Sequence, residues 1–453
     1  MAGFDFSLIR QVLDVITSVI LPIAGGVVTY SEVREARIEK RTRNFRMANE
    51  VSPEDRGAYA EHSLDLYREY YADQIAKGEV TVRHLVYRPQ WVQQPGNDNF
   101  MTMNDMPVTV SETFWESAPP AAKFLPYPRD GFALNKKYQL GGKTLLFNGK
   151  LYALEGFTGD INRGDLAVTV KNGGYFDFLD TCEYLVYEMS YARKIRRKKP
   201  PYSLRKPAFL SELPGRSRQA DVFDLRNRFA GIGVNNATIL YNVEMHKDLR
   251  DPTSPRIKRP VLLLHHRSGQ VAEGIGSIHV VPAGSYQPVG VDIRSDFNVQ
   301  MANTVYREFG EELLNIDEFF HLGDEEVLEE QYRRWKVILL GMGFEPLNTK
   351  VEMLTAMKVD LEDPENRKFF GGNDTMEGLT QFFSDNYEGK LTLVPLEKKT
   401  LHQYQSDPRT TQSGKEILTI MLEHLNFFLQ PRSKKNIPFP LGEGCFCQGQ
   451  ETS

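Results

Sequence analysis

The stretch VYREFGEELLN, residues 305–315, decides how the sequence is interpreted, because it combines an apolar stripe with a crowded acidic face. Glu308, Glu311 and Glu312 have the i, i+3 and i+4 spacing that places side chains on one face of a helix. A second stripe on this helix is suited to burial in a core: Met301, Val305, Phe309 and Leu313. Clustered carboxylates repel one another unless a cation compensates them. The stretch therefore predicts either a solvated acidic face or a site for a hard divalent cation such as Mg²⁺ or Mn²⁺.

The sequence around this helix alternates between strand-like and helical patterns. Apolar runs predict strands at residues 233–243, 260–268, 276–284, 349–359 and 391–396. Helices are expected at 298–314, with Ser295 or Asp296 as the cap, at 324–340 and at 413–429. This mixture predicts an α/β (α+β) fold with a mixed sheet.

The preceding part of the chain is less regular. Ser52-Pro53-Glu54-Asp55 has the features of a helix start, and the helix is expected to end near Gly78. A hairpin is predicted at 145–154 around Asn148-Gly149, a strand at 166–170 and a helix at 184–194. Residues 193–206 carry a run of basic side chains, which indicates either a phosphate contact or a solvated loop beside Pro200-Pro201.

Composition excludes several classes of protein. The 453 residues carry a formal net charge of −5, whereas a general nucleic-acid binder is usually basic. Only three cysteines are present, Cys182, Cys445 and Cys447, too few for a secreted disulfide scaffold. Nucleic acid is therefore not an expected partner, and a reducing compartment such as the cytoplasm is favoured.

Residues 12–30, VLDVITSVILPIAGGVVTY, form an apolar segment with Asp14 as its only charge. One interpretation is a membrane anchor, with the basic residues that follow keeping the body on the cytoplasmic face. The alternative is an amphipathic helix that packs on the body or mediates self-association.

Arg307, Glu308, Phe309, Glu311 and Glu312 match, position for position, the second half of the Nudix box, G-x5-E-x7-R-E-U-x-E-E-x-G-U, where U is a bulky apolar residue. The run HVVPAG, residues 279–284, resembles the strand and turn that precede this helix in the Nudix family. The run LLLHHR, residues 262–267, resembles the strand before that. The resemblance covers residues 226–431.

This resemblance implies a Nudix-like mixed-sheet α/β/α sandwich in the C-terminal half. The domain prediction is then an apolar helix and basic segment at 1–50, an α+β domain at 51–225, the Nudix-like domain at 226–431 and a disordered tail at 432–453. The family's metal ligands correspond to Glu308, Glu311 and Glu312, with Arg307 orienting them and Glu308 able to act as base. Arg267, where the corresponding strand of the family often ends in arginine, and Gly284, in the proline-glycine-rich turn, are the predicted cofactor-binding residues.

The sequence also departs from the Nudix pattern. The box's upstream glutamate and glycine positions hold Val299 and Ile293, and Leu314 and Asn315 replace the trailing glycine and apolar residue. Asp292 or Asp296 could supply the missing carboxylate, and Glu377 a further one. Two functions follow. The first is a Mg²⁺-dependent hydrolase of a nucleoside diphosphate linked to another moiety. The second is a catalytically degenerate nucleotide-ligand sensor or effector.

Overall fold

The computed structural model describes residues 22–23, 26–27, 30–115, 125–127, 130–140, 146–196, 213–267, 276–288, 299–314, 335–383 and 389–431. The strands are β1 Pro22–Ile23, β2 Gly26–Val27, β3 Thr81–Val82, β4 Val86–Tyr87, β5 Val108–Phe114, β6 Lys150–Thr158, β7 Ala167–Gly174, β8 Ile232–His246, β9 Arg256–Arg267, β10 Ile278–Val280, β11 Ala283–Ser285, β12 Val337–Phe344, β13 Val351–Asp360 and β14 Gly389–Pro395. The helices are α1 Tyr30–Asn49, α2 Pro53–Tyr70, α3 Ala72–Ala76, α4 Gly131–Leu140, α5 Tyr175–Phe178, α6 Tyr184–Lys194, α7 Pro214–Arg218, α8 Ala302–Leu314, α9 Pro364–Phe369, α10 Met376–Phe382, α11 Lys398–Ser406, α12 Gln412–Glu423 and α13 Leu425–Leu429.

Two mixed sheets organise these elements. The larger has the order β10-β9-β8-β13-β12-β4-β3, with β11 paired to β8 and β14 paired to β9. Its β8 and β13 run parallel, and its other neighbours are antiparallel. The smaller sheet has the order β5-β7-β6, with β5 and β7 parallel. The predicted α+β class is confirmed.

Helices α8 and α12 lie on opposite faces of the large sheet. Gly284 of β11 pairs with Val234 of β8, and the Glu308 side chain of α8 packs against Gly284. The next residue of β8, Asn235, accepts a hydrogen bond from the Ser413 hydroxyl of α12 at 3.1 Å. Successive side chains of a strand point to opposite faces. The sheet is therefore sandwiched between helices, as expected from the sequence.

The region before residue 226 takes part in this sheet. Strands β3 and β4 continue it beyond β12, with Phe344 opposite Val86. A side-chain contact joins the same regions, because Arg83 Nε donates to the buried Glu416 carboxylate at 2.9 Å. The division at 225/226 stays a prediction, since the large sheet draws strands from both sides of it.

Several predicted elements match the structure closely. Ser52 caps α2 by accepting a hydrogen bond from the Asp55 amide at 3.1 Å. The expected 184–194 helix is α6, and the expected 349–359 and 391–396 strands are β13 and β14. The helix expected at 413–429 is divided at His424 into α12 and α13.

Two predicted strand arrangements are wrong. The hairpin at 145–154 is absent from the described part of that segment, because β6 begins at Lys150 and its partner is β7. Asn148 instead accepts a hydrogen bond from the Phe176 amide at 2.8 Å. The strand expected at 276–284 is divided into β10 and β11 at the cis peptide Val281–Pro282, and the two pieces pair with different strands.

The helix predicted at 324–340 is also wrong where it can be compared. Residues 337–340 belong to strand β12, and 324–334 lie outside the described residues. Every residue of β12 is buried. A strand covered on both faces has a continuous apolar sequence without alternation, and such a sequence does not distinguish strand from helix.

Most of the apolar segment 12–30 lies outside the described residues. Its described part contains the short antiparallel pair β1 and β2 rather than a continued helix, so the predicted helix does not extend through Pro22 and Val27. No helix in the described ranges is both long and apolar enough to cross a bilayer. Most of the basic run and the tail with Cys445 and Cys447 are outside these ranges as well.

Candidate functional site

Helix α8 is held on the sheet by the apolar stripe that its sequence predicts. Met301, Val305, Phe309 and Leu313 are all buried. Phe309 also packs against Trp335, with ring centroids 5.2 Å apart. This burial fixes the rotation of α8 about its axis and turns the acidic residues toward β11 and Arg267.

Arg307 is shared by two of the three acids on this helix. Its Nη2 donates to Glu308 Oε1 at 2.8 Å, and its Nε lies 3.5 Å from Glu311 Oε1. The side chains of Glu308 and Glu311 are only 13% and 11% exposed. Arg307 Nη2 also donates to the Ser285 carbonyl oxygen at 3.3 Å, which ties the group to β11.

Glu312 is the most buried acid of the three, with a side chain 3% exposed. Its Oε2 accepts from the Ala283 amide at 2.9 Å, and its Oε1 lies 3.4 Å from Arg267 Nη2. The same Arg267 nitrogen lies 3.5 Å from the Ala283 carbonyl oxygen. One guanidinium thus occupies the space between a carboxylate and a backbone carbonyl.

Gly284 allows the close approach of Glu308 to β11. A Cβ at this position would lie 2.0 Å from Glu308 Oε1 and Cδ. Only glycine leaves room for a carboxylate that close to the backbone. Gly284 therefore lies beside the acidic group, and its predicted role in cofactor binding stays a prediction.

The arrangement does not fit a resident Mg²⁺ or Mn²⁺ as it stands. Each predicted ligand, Glu308, Glu311 or Glu312, is already compensated by Arg307 or Arg267. Among the residues that the structure describes, no group of three or more His, Cys, Asp and Glu side chains has the geometry to hold a metal ion. The acids are largely buried and ion-paired in the described chain, and their role as metal ligands stays a prediction.

The two histidines beside Arg267 alternate across β9. His265 is buried and His266 is partly exposed. Burial, with Arg267 as a second cause, lowers the pKa of His265 to about 4, so its ring is neutral near pH 7. Of the other predicted acids, Asp292 and Asp296 lie outside the described residues, whereas Glu377 is on α10 with its carboxylate 3.9 Å from His246.

A second feature is a cavity of about 180 Å³, here called the α12 cavity, between the helices of the first half and the beginning of α12. Its wall includes parts of α2, α4 and α6, the residues before β13 and the segment 408–413. Five cationic side chains line it: Arg56, Lys136, Arg267, Lys350 and Arg409. Arg267 is thus common to this cavity and to the acidic group on α8.

Most of these cations are paired with carboxylates. Arg56 donates to Glu183 at 2.9 Å, and Lys350 lies 3.2 Å from Glu352. Burial acts to raise the pKa of Glu183, but Arg56 and Lys136 outweigh it and hold that pKa below its ordinary value. Lys136 forms no ion pair with a carboxylate in the described part of the chain. Its Nζ lies over the Phe132 ring, 5.9 Å from the ring centroid.

Sequence reasoning did not find the α12 cavity. Its lining residues come from segments up to several hundred positions apart, and none belongs to the acidic stretch. The sequence contained one local signal, a threonine directly before a helix with periodic apolar residues. Thr411 caps this helix by accepting a hydrogen bond from the Gly414 amide at 3.2 Å.

Comparisons with known proteins add little to this geometry. No family model matches the chain, and no curated protein matches it. Among solved structures, it is similar to a mutT/nudix family protein from Listeria innocua at 15% identity. That similarity covers 44% of this chain and 98% of the other, with a TM-score of 0.26. The assignment to a family therefore stays a resemblance, carried by the residues of α8.

Proposed function

We propose that the chain is a Nudix-like sensor or effector that binds a nucleotide-derived small molecule without hydrolysing it. The observation that supports this most directly is the position of Arg267, between Glu312 and the Ala283 carbonyl oxygen at 3.4 and 3.5 Å. A guanidinium there supplies the positive charge that the carboxylate requires. A divalent cation would have to displace it before it could use the same oxygens.

The departures of the sequence agree with this proposal. Val299 and Ile293 replace the glutamate and glycine of the first half of the box. Val299 has no acidic side chain, and its carbonyl oxygen accepts a hydrogen bond from the Tyr286 hydroxyl at 2.8 Å. The chain thus retains the half of the box that stabilises α8 on the sheet and lacks the upstream carboxylate.

The Mg²⁺-dependent hydrolase is the second candidate. It is favoured by the gathering of Glu308, Glu311 and Glu312 around β11, where Glu312 and Glu308 contact Ala283 and Gly284. If ligand binding moved Arg267 away, the carboxylates would become available. Hard cations prefer such oxygen ligands, and they act on phosphoanhydrides by neutralising developing charge.

Turnover separates the two candidates. Purified protein is incubated with Mg²⁺ or Mn²⁺ and a panel of nucleoside diphosphate derivatives, beside Glu311→Gln. We expect no turnover, together with a rise in Tm for at least one member of the panel. Turnover that is lost in Glu311→Gln would establish the hydrolase instead.

A metal titration tests the role of Arg267 directly. In Arg267→Met the acids lose one cation, so we expect Mn²⁺ to raise the Tm of this variant but not that of the wild type. The matched control is Arg259→Met, an exposed arginine on the same strand. Equal Mn²⁺ responses in wild type and Arg267→Met would contradict the assigned role.

The proposed membrane anchoring or self-association through residues 12–30 needs a separate experiment. Deletion of residues 1–30 is compared with the full chain by cell fractionation and by light scattering. A change in membrane partition identifies an anchor, and a change in mass identifies a self-association segment. No change in either measurement would remove both roles.

A further inference from the structure

We propose that one face of the first half of the chain docks on the surface of a membrane that contains anionic lipids. This face, here called the aromatic face, is formed by the region of α4 and by one end of the small sheet. Its members are Phe114, Tyr127, Tyr138 and Phe147. The inference rests on the proposed membrane association, and it assigns to that association a contact that residues 12–30 do not supply.

The aromatic face contains every strongly exposed aromatic side chain in the described part of the molecule. Its four rings are 44–71% exposed. The other large apolar side chains of comparable exposure in the same ranges are not aromatic: Met47, Ile75, Leu249 and Leu429. Single exposed apolar side chains are ordinary on a protein surface, whereas a contiguous group of them marks an interaction site.

Two of the four rings lie at the same end of the small sheet. Strand β5 ends at Phe114, which is opposite Asn172 near the end of the parallel strand β7. The antiparallel strand β6 begins at Lys150, opposite Gly174, which is the last residue of β7. Phe147 precedes the start of β6 by three residues, so it belongs to the end of the sheet that also carries Phe114.

The region of α4 joins the same surface through a series of contacts. Helix α5 follows β7 directly, and the Phe176 amide donates to the side chain of Asn148, the neighbour of Phe147, at 2.8 Å. The Nζ of Lys137 on α4 lies over the Phe176 ring, 6.0 Å from its centroid. The next residue of α4 is Tyr138, whose ring centroid is 6.1 Å from that of Tyr127.

Helix α1 brings positive charge to this region. It packs on α4, with the Phe45 and Phe132 ring centroids 6.0 Å apart and Asn49 donating to Gln139 at 3.1 Å. Its described side chains, those of residues 35–49, include two acids, Glu35 and Glu39, and more cations. None of these cations forms a salt bridge in the described ranges: Arg37, Lys40, Arg41, Arg43 and Arg46.

The combination of rings and cations fits a lipid surface better than a protein partner. The core of a protein–protein interface is depleted in charged residues, and lysine is rare in such interfaces. Aromatic rings beside lysine and arginine instead match the headgroup region of a bilayer, where the rings enter the interface and the cations meet anionic lipids. Lys137 and Lys150 are both exposed beside the rings. The bilayer is therefore the partner whose chemistry this face complements.

The aromatic contribution is tested with the full chain and vesicle flotation. One vesicle is pure phosphatidylcholine, and the other contains equal parts of phosphatidylcholine and phosphatidylglycerol. Phe147→Ser should lower the fraction bound to the mixed vesicles by about threefold or more, because a ring no longer enters the interface. Phe147→Trp should keep the binding, since tryptophan favours the same region. The control Leu249→Ser, at an exposed site between β8 and β9, should float as the wild type does.

The charge contribution is tested with paired substitutions. Arg43→Gln with Arg46→Gln should lower binding to the mixed vesicles about tenfold and leave binding to pure phosphatidylcholine unchanged. The control is Lys247→Gln with Arg250→Gln, which removes two exposed cations from the segment between β8 and β9 and should have no effect. A full chain that floats with neither vesicle, or a Phe147→Ser variant that floats as the wild type does, would overturn the inference.

Deletion of residues 1–30 distinguishes this inference from the proposed anchor. If the deletion abolishes flotation while Phe147→Ser and the double arginine variant float as the wild type does, the anchor stands and the aromatic face has no role. If the shortened chain still floats in a manner that depends on Phe147, the face binds by itself and the anchor is wrong. A Phe147→Ser variant whose mass falls in light scattering without vesicles would identify a contact between copies instead.

Discussion

The guanidinium of Arg267 lies 3.4 Å from the carboxylate of Glu312, the most deeply buried acid on α8. Removal of one partner takes this ion pair away from the other charge in a poorly solvated place. We therefore expect Glu312→Gln to lower the free energy of unfolding by about 2–3 kcal/mol. This is less than for a fully buried pair, because Arg267 is 18% exposed.

A double-mutant cycle isolates this pair from other effects. Urea unfolding is measured for Glu312→Gln, Arg267→Met and the combination. The double variant should lose less stability than the two single variants together, by about 1–2 kcal/mol. Strict additivity would mean that the two side chains do not interact.

Gly284→Ala should be destabilising because its methyl group would lie 2.0 Å from the Glu308 carboxylate. We expect a loss of about 1–3 kcal/mol in the free energy of unfolding. The control is Gly156→Ala, where nothing lies within 4 Å of the added Cβ. In the Gly284→Ala, Glu308→Ala double variant the clashing group is gone, so part of the stability should return. If the double variant loses as much stability as the two single substitutions added together, the clash does not involve Glu308.

Stability should fall as pH is lowered below about 6.5. Burial lowers the pKa of His265 to about 4 and that of His279 to about 3, so both are neutral in the folded protein. The unfolded chain takes up these protons near pH 6.5 and the folded one only near the lowered values. Each group therefore contributes stability above pH 6.5. This contribution is lost at about 1.4 kcal/mol per pH unit as the pH falls from 6.5 toward the lowered pKa of the group.

The contribution of His265 can be separated by Leu substitution. Neither ring nitrogen of His265 has a partner among the described residues, so His265→Leu sacrifices no hydrogen bond seen there. Its stability, measured by urea unfolding from pH 7.5 to 4.5, should fall less steeply than that of the wild type. The exposed His402→Gln serves as control and should follow the wild-type curve. Equal slopes for all three proteins would contradict the assignment.

Arg83 should be needed for the stability of both halves. It donates to the fully buried Glu416 carboxylate at 2.9 Å and to Glu423 at 2.6 Å. Arg83→Met would leave Glu416 as an uncompensated buried charge, which costs about 3–5 kcal/mol. The control is Arg68→Met. Among the described salt bridges Arg68 pairs only with the exposed Asp65, so this variant should lower the free energy of unfolding by under about 1 kcal/mol. Hydrogen exchange should show protection lost in β3–β4 and in α12 together; a loss confined to β3–β4 would argue against coupling.

The sequence was most informative where burial has a period. The apolar stripe on α8 recurs with the period of a helix, and its four residues are all buried: Met301, Val305, Phe309 and Leu313. It was least informative for β12, because all eight residues of this strand are buried and show no alternation that distinguishes a strand from a helix. The strand expected at 276–284 was divided for a local reason, because Pro282 has no amide hydrogen to continue a ladder.

The chemistry of the acidic group depends on partners that local sequence does not reveal. Residues Glu308, Glu311 and Glu312 were identified, but their burial is caused by Arg267, 45 positions before Glu312, and by the β11 backbone. Spacing along one helix shows which carboxylates share a face. It does not show what covers that face.

The extension of the large sheet by β3 and β4 has a consequence for work with fragments. A piece comprising residues 226–431 would keep β12 but lose the strand that lies beyond Phe344. It would also lose the bridges from Val92 and Thr102 to Gly341 and Ile338. The exposed edge of β12 would then present unpaired amides and carbonyls flanked by Leu, Ile and Met side chains. Strands of further copies of the fragment can pair with such an edge. Such a fragment should form oligomers or precipitate, and the smallest soluble unit that contains α8 should begin before β3.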